Sequence, residues 1–277
     1  MDNNKILYIA QEISPYLPQS PLADISRTLP QAILEKGYEV RSFMPKYGNI
    51  NERRNQLHEV IRLSGMNIII DDTDHQLIIK VATLQPSRMQ VYFIDNDDYF
   101  QHHVVKDIEI RQTPEDNDAR IMFYIRGVIE TVKKLRWEPA IIHNAGWIAA
   151  LAPLYLKKFY DSDPCFRHSK IVYSLVNDSF DGTLDPRFID KLLMDGFDKA
   201  DLNEIANGPV DYIALNKLAM QYADGIVQLM PDVDQQLVDY AKSLGIPFLP
   251  YSDDDENRAQ NYLDFYNKLW NLIISSL

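Results

Sequence analysis

The sequence predicts an α/β fold: a doubly wound, mostly parallel sheet that carries an antiparallel β-hairpin insertion. Two observations predict the parallel part. Near the start, residues 5–10 form an apolar run typical of a buried strand, residues 22–37 carry apolar side chains at helical spacing, and residues 39–44 form a second strand-like run. Between residues 140 and 249, short apolar runs alternate with amphipathic segments. This alternation favours parallel strands with helices on both faces.

A third observation predicts the insertion, which occupies about residues 60–100. Three β-rich runs are joined by short polar turns, and such short connections imply antiparallel hairpins. The runs are residues 66–70, 77–84 and 89–94, and the turns are residues 71–74 and 85–88.

The second half of the chain begins with a predicted amphipathic helix at residues 118–136. The elements that follow alternate between strand and helix: 140–143, 148–160, 170–176, 210–222, 225–229, 232–244 and 246–249. The acidic run 253–256 suits the positive end of a helix dipole and opens a last helix, about residues 255–275. The apolar stripe of this helix, which includes Tyr262, Phe265 and Leu269, predicts that it packs back across the domain. Residues 1–277 are expected to form one domain.

The composition is that of an acidic globular protein. The 277 residues include 28 basic and 40 acidic side chains, which gives a formal net charge of -12. Such a surface repels phosphate backbones and anionic membranes, so nucleic-acid and membrane partners are not predicted. The one cysteine, Cys165, cannot form an intrachain disulfide, and the apolar run near the start is too short for a signal peptide or a membrane span. A cytoplasmic location is expected.

Several segments, in order along the chain, are similar to motifs of one enzyme family. Residues 5–15 resemble its first strand with an E-x-x-P loop, residues 93–100 its D-x-x-x-Y-F segment, and residues 116–120 its D-N-x-x-R segment. Residues 141–157 resemble H-x-H-D-W-x-x-A-L-x-P-x-Y-L-K, and residues 174–182 fit T-I-H-N-x-x-Y-Q-G at Asn177, Phe180 and Gly182. Over roughly residues 5–231, the chain resembles the N-terminal catalytic domain of bacterial glycogen/starch synthases.

This resemblance implies a Rossmann-like fold, the N-terminal half of a GT-B glycosyltransferase. Members of the family are retaining glucosyltransferases that move glucose from ADP-glucose to the non-reducing end of an α-1,4-glucan. The reaction takes place in a cleft between two domains of similar size, and the second domain supplies most of the contacts to the donor. This chain ends after one such domain and a final helix.

The chain departs from the family motifs at positions that carry the chemistry. The family loop K-T-G-G-L, whose lysine and glycines meet the phosphates of the donor, is here residues 18–22, Pro-Gln-Ser-Pro-Leu. Pro21 has no backbone N–H to offer, and the cation is absent. In H-x-H-D-W, the second histidine and the aspartate are active-site residues of the family, and here they are Ala145 and Gly146. The histidine of T-I-H-N is Val176.

Seven residues remain as candidates for binding a substrate: Glu12, Asp24, Lys46, Tyr47, His143, Trp147 and Asn177. His143 is the one catalytic candidate, and a histidine that only caps a strand end is the alternative. Trp147 could stack on a glucan ring or pack in the core. Asp24 could contact a sugar or only follow a helix start, and Glu12 could only hydrogen-bond to its own loop. Asn177 follows a predicted parallel strand, where open α/β sheets place their sites.

No metal or cofactor is predicted. His102 and His103 follow three aspartates, but adjacent residues of a strand point to opposite faces and rarely bind one ion. No phosphate-binding G-x-x-x-x-G-K-[ST] motif is present in the sequence.

The departures favour a non-catalytic relative of glycogen/starch synthase that retains binding to an α-glucan, another carbohydrate or a protein partner. The alternative is an active ADP-glucose:α-1,4-glucan glucosyltransferase that is completed by a separate donor-binding subunit. A third interpretation is an interaction module without sugar binding, in which the exposed cleft favours a homodimer.

Overall fold

The computed structural model describes residues 4–101 and 116–274. The strands are β1 (Lys5–Ile9), β2 (Glu39–Pro45), β3 (His58–Glu59), β4 (Met66–Ile70), β5 (Thr73–Leu84), β6 (Met89–Asp95), β7 (Ile141–Ala145), β8 (Lys170–Leu175), β9 (Gly225–Gln228) and β10 (Phe248–Leu249). The α-helices are α1 (Pro21–Glu35), α2 (Asn117–Leu135), α3 (Leu151–Phe159), α4 (Phe188–Met194), α5 (Tyr212–Gln221), α6 (Gln235–Ser243) and α7 (Arg258–Ile274). A π-helical turn (Asp97–Gln101) and two 3-10 turns (Trp147–Ala149 and Lys199–Leu202) complete the set.

The strands follow the order β10-β9-β8-β7-β1-β2-β6-β5-β3, and β4 pairs with β5. All neighbours from β10 to β6 are parallel. The chain moves outward from β1 through β2 to β6 on one side, and from β7 through β8 and β9 to β10 on the other. The order therefore reverses between β1 and β7, and this point is the topological switch of a doubly wound sheet. The predicted fold class is confirmed.

Helices cover both faces of the sheet, as the alternation of side chains along β7 and β8 demonstrates. His143 of β7 contacts Tyr266 of α7, whereas Tyr173, which pairs with the next residue along β7, donates to Asn216 of α5 across 2.7 Å. Because successive side chains of a strand point to opposite faces, α7 and α5 lie on opposite faces. Helix α1 packs beside α7, and α2 and α3 lie on the side of α5.

The start of α1 follows from its sequence. The hydroxyl of Ser20, the N-cap residue, accepts a hydrogen bond of 2.9 Å from the backbone N–H of Ala23. Pro21 takes the first helical position, where no partner for its missing N–H is needed. The apolar side chains Leu22, Leu29 and Ile33 are buried against the sheet.

The insertion differs from the prediction in two respects. Strands β4, β5 and β6 form the expected antiparallel hairpins, but β6 also pairs with β2 in parallel and so belongs to the central sheet. Strand β5 is longer than predicted and begins at Thr73, because the turn to it needs only Asp71 and Asp72. Both of these residues have positive φ angles, 47° and 63°, as a two-residue hairpin turn requires.

The last helix begins later than predicted. The acidic residues Asp253 to Glu256 precede the helix instead of opening it, and α7 starts at Arg258. Asp254 accepts hydrogen bonds from the backbone and the side chain of Asn257, which stabilises a turn before the helix. In the described part of the chain, no helix has the length and apolar character needed to cross a membrane.

Candidate functional site

The candidate site lies at the carboxyl ends of the parallel strands, around the switch between β1 and β7. In open α/β sheets, ligands bind in the crevice that forms at such a point. The segment after β1 contains Glu12, and the segment after β7 contains Gly146 and Trp147. Lys46 and Tyr47 follow β2, and Asn177 follows β8. The topology therefore places five of the seven predicted residues at this edge of the sheet, on the loops after four strands, β1, β2, β7 and β8.

The loop after β1 is closed by its own side chains. The hydroxyl of Ser20 donates a hydrogen bond of 2.6 Å to Oε1 of Glu12. Asp24, half-buried in the first turn of α1, accepts a hydrogen bond of 3.0 Å from the side-chain amide of Gln19. Both acidic residues thus interact with the short loop that leads into α1.

Lys46 is a buried member of a partly exposed charge network behind the loop after β2. Its ammonium group is 3.1 Å from Glu52, whose carboxylate is also 2.6 Å from Nζ of Lys80. Lys80 is in turn 2.8 Å from the buried carboxylate of Asp95, which accepts a second hydrogen bond from Gln101. The positive charge of Lys46 is therefore paired with an acidic side chain of the protein itself.

Tyr47 is buried, with only 1% of its surface exposed, and its hydroxyl has no hydrogen-bond partner among the described residues. Burial raises the pKa of Tyr47, so the hydroxyl stays protonated. A buried hydroxyl without a partner is destabilising unless a ligand or water satisfies it. Tyr47 is thus a candidate contact for a neutral, hydrogen-bonding ligand.

Two residues at the start of α2 join this region, although they were not among the predicted site residues. The guanidinium of Arg120, which interacts electrostatically with Tyr47, donates to the backbone oxygen of Tyr99 across 3.1 Å and contacts the side chains of Asp116 and Asn117. The side-chain nitrogen of Asn117 is buried and has no partner in the described structure. The D-N-x-x-R spacing was the available signal, because positions three and four apart share one face of a helix.

His143 lies inside the core, below α7, and only 1% of its surface is exposed. Its Nδ1 contacts the hydroxyl of Tyr266, its Nε2 contacts the hydroxyl of Ser174, and its ring stacks on Tyr8 at 4.8 Å. Burial lowers the pKa of His143 to about 3. The imidazole is therefore neutral at physiological pH, and both of its nitrogens are engaged within the protein.

Trp147 and Asn177 occupy contrasting environments at the same edge. Trp147 is fully buried and meets the ring of Phe180 edge-on at 5.0 Å. Asn177 is exposed, and its backbone N–H points to the sulfur of Met230. Of the two side chains, only that of Asn177 is open to solvent.

At this edge, the buried polar groups without a partner in the described structure include the hydroxyl of Tyr47 and the side-chain nitrogen of Asn117. The buried cations Lys46 and Arg120 and the half-buried Lys80 each lie against an acidic side chain. Within residues 4–101 and 116–274, no group of three or more His, Cys, Asp or Glu side chains is placed to hold a metal ion. His102 and His103 lie outside the described residues.

Comparison with known proteins gives one family. The family described as "Starch synthase catalytic domain" matches residues 5–245. The glycogen synthase of Pelodictyon phaeoclathratiforme is 37% identical over 232 residues, which cover 81% of this chain and 47% of that protein. The glycogen synthase of Chlorobaculum tepidum is 38% identical over 216 residues, which cover 74% and 44%. The chain thus spans about half the length of these curated relatives.

A solved structure gives the same fold. The catalytic domain of starch synthase IV from Arabidopsis thaliana, bound to ADP and acarbose, superposes with a TM-score of 0.71 at 17% sequence identity. The alignment covers 92% of this chain and 53% of that one. Together with the family match over most of the sequence, the motifs and the switch point between β1 and β7 lead to one conclusion: the chain belongs to the glycogen/starch synthase family.

Proposed function

We propose that the chain is a non-catalytic member of this family that binds an α-glucan at the carboxyl edge of its sheet. The observation that carries the proposal is the pairing of two features around Tyr47. The buried cations next to it, Lys46 and Arg120, are paired with the protein's own acidic side chains, whereas the hydroxyl of Tyr47 and the side-chain nitrogen of Asn117 have no partner in the described structure. Unsatisfied neutral groups suit the hydroxyls of a sugar, and neutralised cations do not suit a phosphate.

The loop after β1 also argues against the binding of a sugar nucleotide. A departing nucleoside diphosphate needs preorganised donors or cations to stabilise its developing charge. In this chain the corresponding residues 18–22 include Pro18 and Pro21, and the one hydroxyl among them, that of Ser20, is bonded to Glu12 and caps α1. Residues 18–22 therefore offer the diphosphate neither a side-chain cation nor a free hydroxyl.

The residues at the end of β7 and just after it lack a group that could transfer a proton. Ala145 and Gly146 carry no group that could give or accept a proton, and His143 is neutral and engaged below α7. General acid–base chemistry needs a titratable group within reach of the reacting atoms. We infer that glucosyl transfer does not occur at this edge.

Two measurements on the full chain test the proposal. In calorimetry we expect maltoheptaose to bind and ADP-glucose to give no heat of binding. In a transfer assay with both compounds we expect no lengthening of the oligosaccharide. Binding of ADP-glucose, or measurable transfer, would overturn the non-catalytic function, and the absence of maltoheptaose binding would overturn the glucan-binding function.

A second candidate function is an active ADP-glucose:α-1,4-glucan glucosyltransferase whose donor-binding half is a separate polypeptide. The 37% identity to a full-length glycogen synthase over 232 residues favours it. This function requires that the chain acquires transfer activity when such a partner is added. Co-purification from the native host, followed by the same transfer assay on the complex, distinguishes it from the first proposal.

A further inference from the structure

A carboxylate from the loop after β8 occupies the space beside the loop after β7. Asp178 has none of its surface exposed. Its Oδ2 accepts a hydrogen bond of 3.1 Å from the backbone N–H of Trp147, and its Oδ1 lies 3.0 Å from the hydroxyl of Tyr212. That hydroxyl is also 2.7 Å from the backbone oxygen of Val176. The carboxylate is thus held from two sides inside the protein.

The position of Asp178 determines which residue can stand at 146. Gly146 has a φ of +80°, a conformation that residues with a side chain rarely adopt. A Cβ atom at this position would overlap Oδ2 of Asp178 and lie 3.1 Å from Cγ2 of Val176. A side chain at 146 and the carboxylate of Asp178 therefore exclude each other.

The same carboxylate completes the start of a helical segment. The first N–H groups of a helix need acceptors from outside it, and these usually come from the side chain of the N-cap residue. Trp147 begins the 3-10 turn that leads into α3, and its N-cap residue, Gly146, has no side chain to offer. Asp178, in the loop after the neighbouring strand β8, supplies the acceptor instead. This hydrogen bond joins the loops after β7 and β8.

We propose that Asp178 is the positioning residue of the candidate site, and that Gly146 and Asp178 form a compensating pair. The carboxylate fixes the loop after β8, so that the exposed Asn177 stands at the strand ends and Phe180 packs on Trp147. The pair also explains why glycine stands where the family motif has aspartate, because two carboxylates would occupy one space. This inference rests on the proposed function only for the statement that the loop contacts a glucan.

A double-mutant cycle tests the pair without any ligand. The cycle compares the melting temperatures of Gly146→Ala, Asp178→Ala and the double variant. Removal of the carboxylate relieves the overlap. The melting temperature of the double variant is therefore expected to fall by clearly less than the sum of the decreases in the two single variants. The backbone strain at residue 146 is the same with or without Asp178 and cancels from the comparison.

Gly182 provides the matched control. Gly182 also has a positive φ, +76°, and lies in the same loop after β8 as Asp178. A Cβ atom at Gly182 would have no atom within 4 Å. Gly182→Ala combined with Asp178→Ala is expected to be additive. An additive result for the Gly146 pair would overturn the proposal. If Gly146→Ala does not fold, recovery of folded protein in the double variant supports the pair, and a double variant that is equally unfolded overturns it.

A ligand titration tests the positioning role separately. Asp178→Asn keeps an oxygen for the N–H of Trp147, whereas Asp178→Ala does not. With maltoheptaose as the probe, the Asn variant is expected to bind nearly as well as the wild type, and the Ala variant more weakly. Equal binding by wild type and Asp178→Ala would overturn the positioning role. Absence of binding by the wild type would overturn the proposed function instead and leave the cycle as the test of the pair.

Discussion

The hydroxyl of Ser20 donates to Oε1 of Glu12 across 2.6 Å and accepts from the N–H of Ala23, so one side chain both closes the loop after β1 and caps α1. The hydroxyl of Ser20 and the carboxylate of Glu12 are thus hydrogen-bonded to groups of the protein itself. Ser20→Ala removes both hydrogen bonds, and we expect it to lower the free energy of unfolding by about 1–2 kcal/mol. Urea denaturation measures the change, and the exposed Ser179→Ala is the control. Equal midpoints for the two variants would contradict the capping role.

His143 predicts a specific dependence of stability on pH. Burial lowers its pKa from an ordinary value of 6.5 to about 3, so between these values the unfolded chain binds a proton that the folded chain does not. Stability must therefore fall as the pH drops below 6.5, by up to about 1.4 kcal/mol per pH unit. We expect the wild type to lose about 2 kcal/mol more than His143→Gln between pH 7 and pH 5.

Denaturation at the two pH values checks this expectation, and the exposed His168→Gln controls for the removal of a histidine. Parallel pH profiles for the wild type and His143→Gln would show that the imidazole is accessible to protons in the folded state. That result would contradict its place below α7.

The ion pair between Lys80 and Asp95, 2.8 Å long, predicts a large effect of removing one partner. Lys80→Met leaves the buried carboxylate of Asp95 without its cation, and we expect a loss of about 3–5 kcal/mol in the free energy of unfolding. Adding Asp95→Asn removes the uncompensated charge and should restore part of this loss. Urea denaturation of both variants, with the exposed Lys36→Met as control, measures the effect. A single variant as stable as the control would be incompatible with a buried Asp95 carboxylate that depends on Lys80 for its charge compensation.

The sequence alone predicted most strands and helices of the fold, but not β3 and α4. Strand β4 was predicted residue for residue, because its polar turn with two aspartates sets its end. The parallel order followed from the β-α-β alternation. The added pairing of β6 with β2 could not be predicted, because periodicity identifies a strand but not its neighbours. The late start of α7 was missed because the acidic residues before it favour a local turn with Asn257 over the first helical turn.

The candidate site was less predictable, and the reason lies in contacts between distant segments. The environment of His143 depends on Tyr266, 123 residues away, which no local pattern reveals. Asp178 and Gly146 are 32 positions apart, and only the pairing of β7 with β8 brings them together. Tyr47 was predicted as a binding residue, and its role in binding stays a prediction.

We propose that a glucan binds through neutral groups that have no partner in the described structure. Calorimetric titration of maltoheptaose into the wild type and into Tyr47→Phe tests this proposal. Because the hydroxyl of Tyr47 has no partner in the described structure, its removal should leave the unliganded protein at least as stable. We expect the wild type to bind maltoheptaose and the variant to bind clearly more weakly at unchanged stability. No binding by the wild type, or equal binding by both proteins, would contradict the proposal.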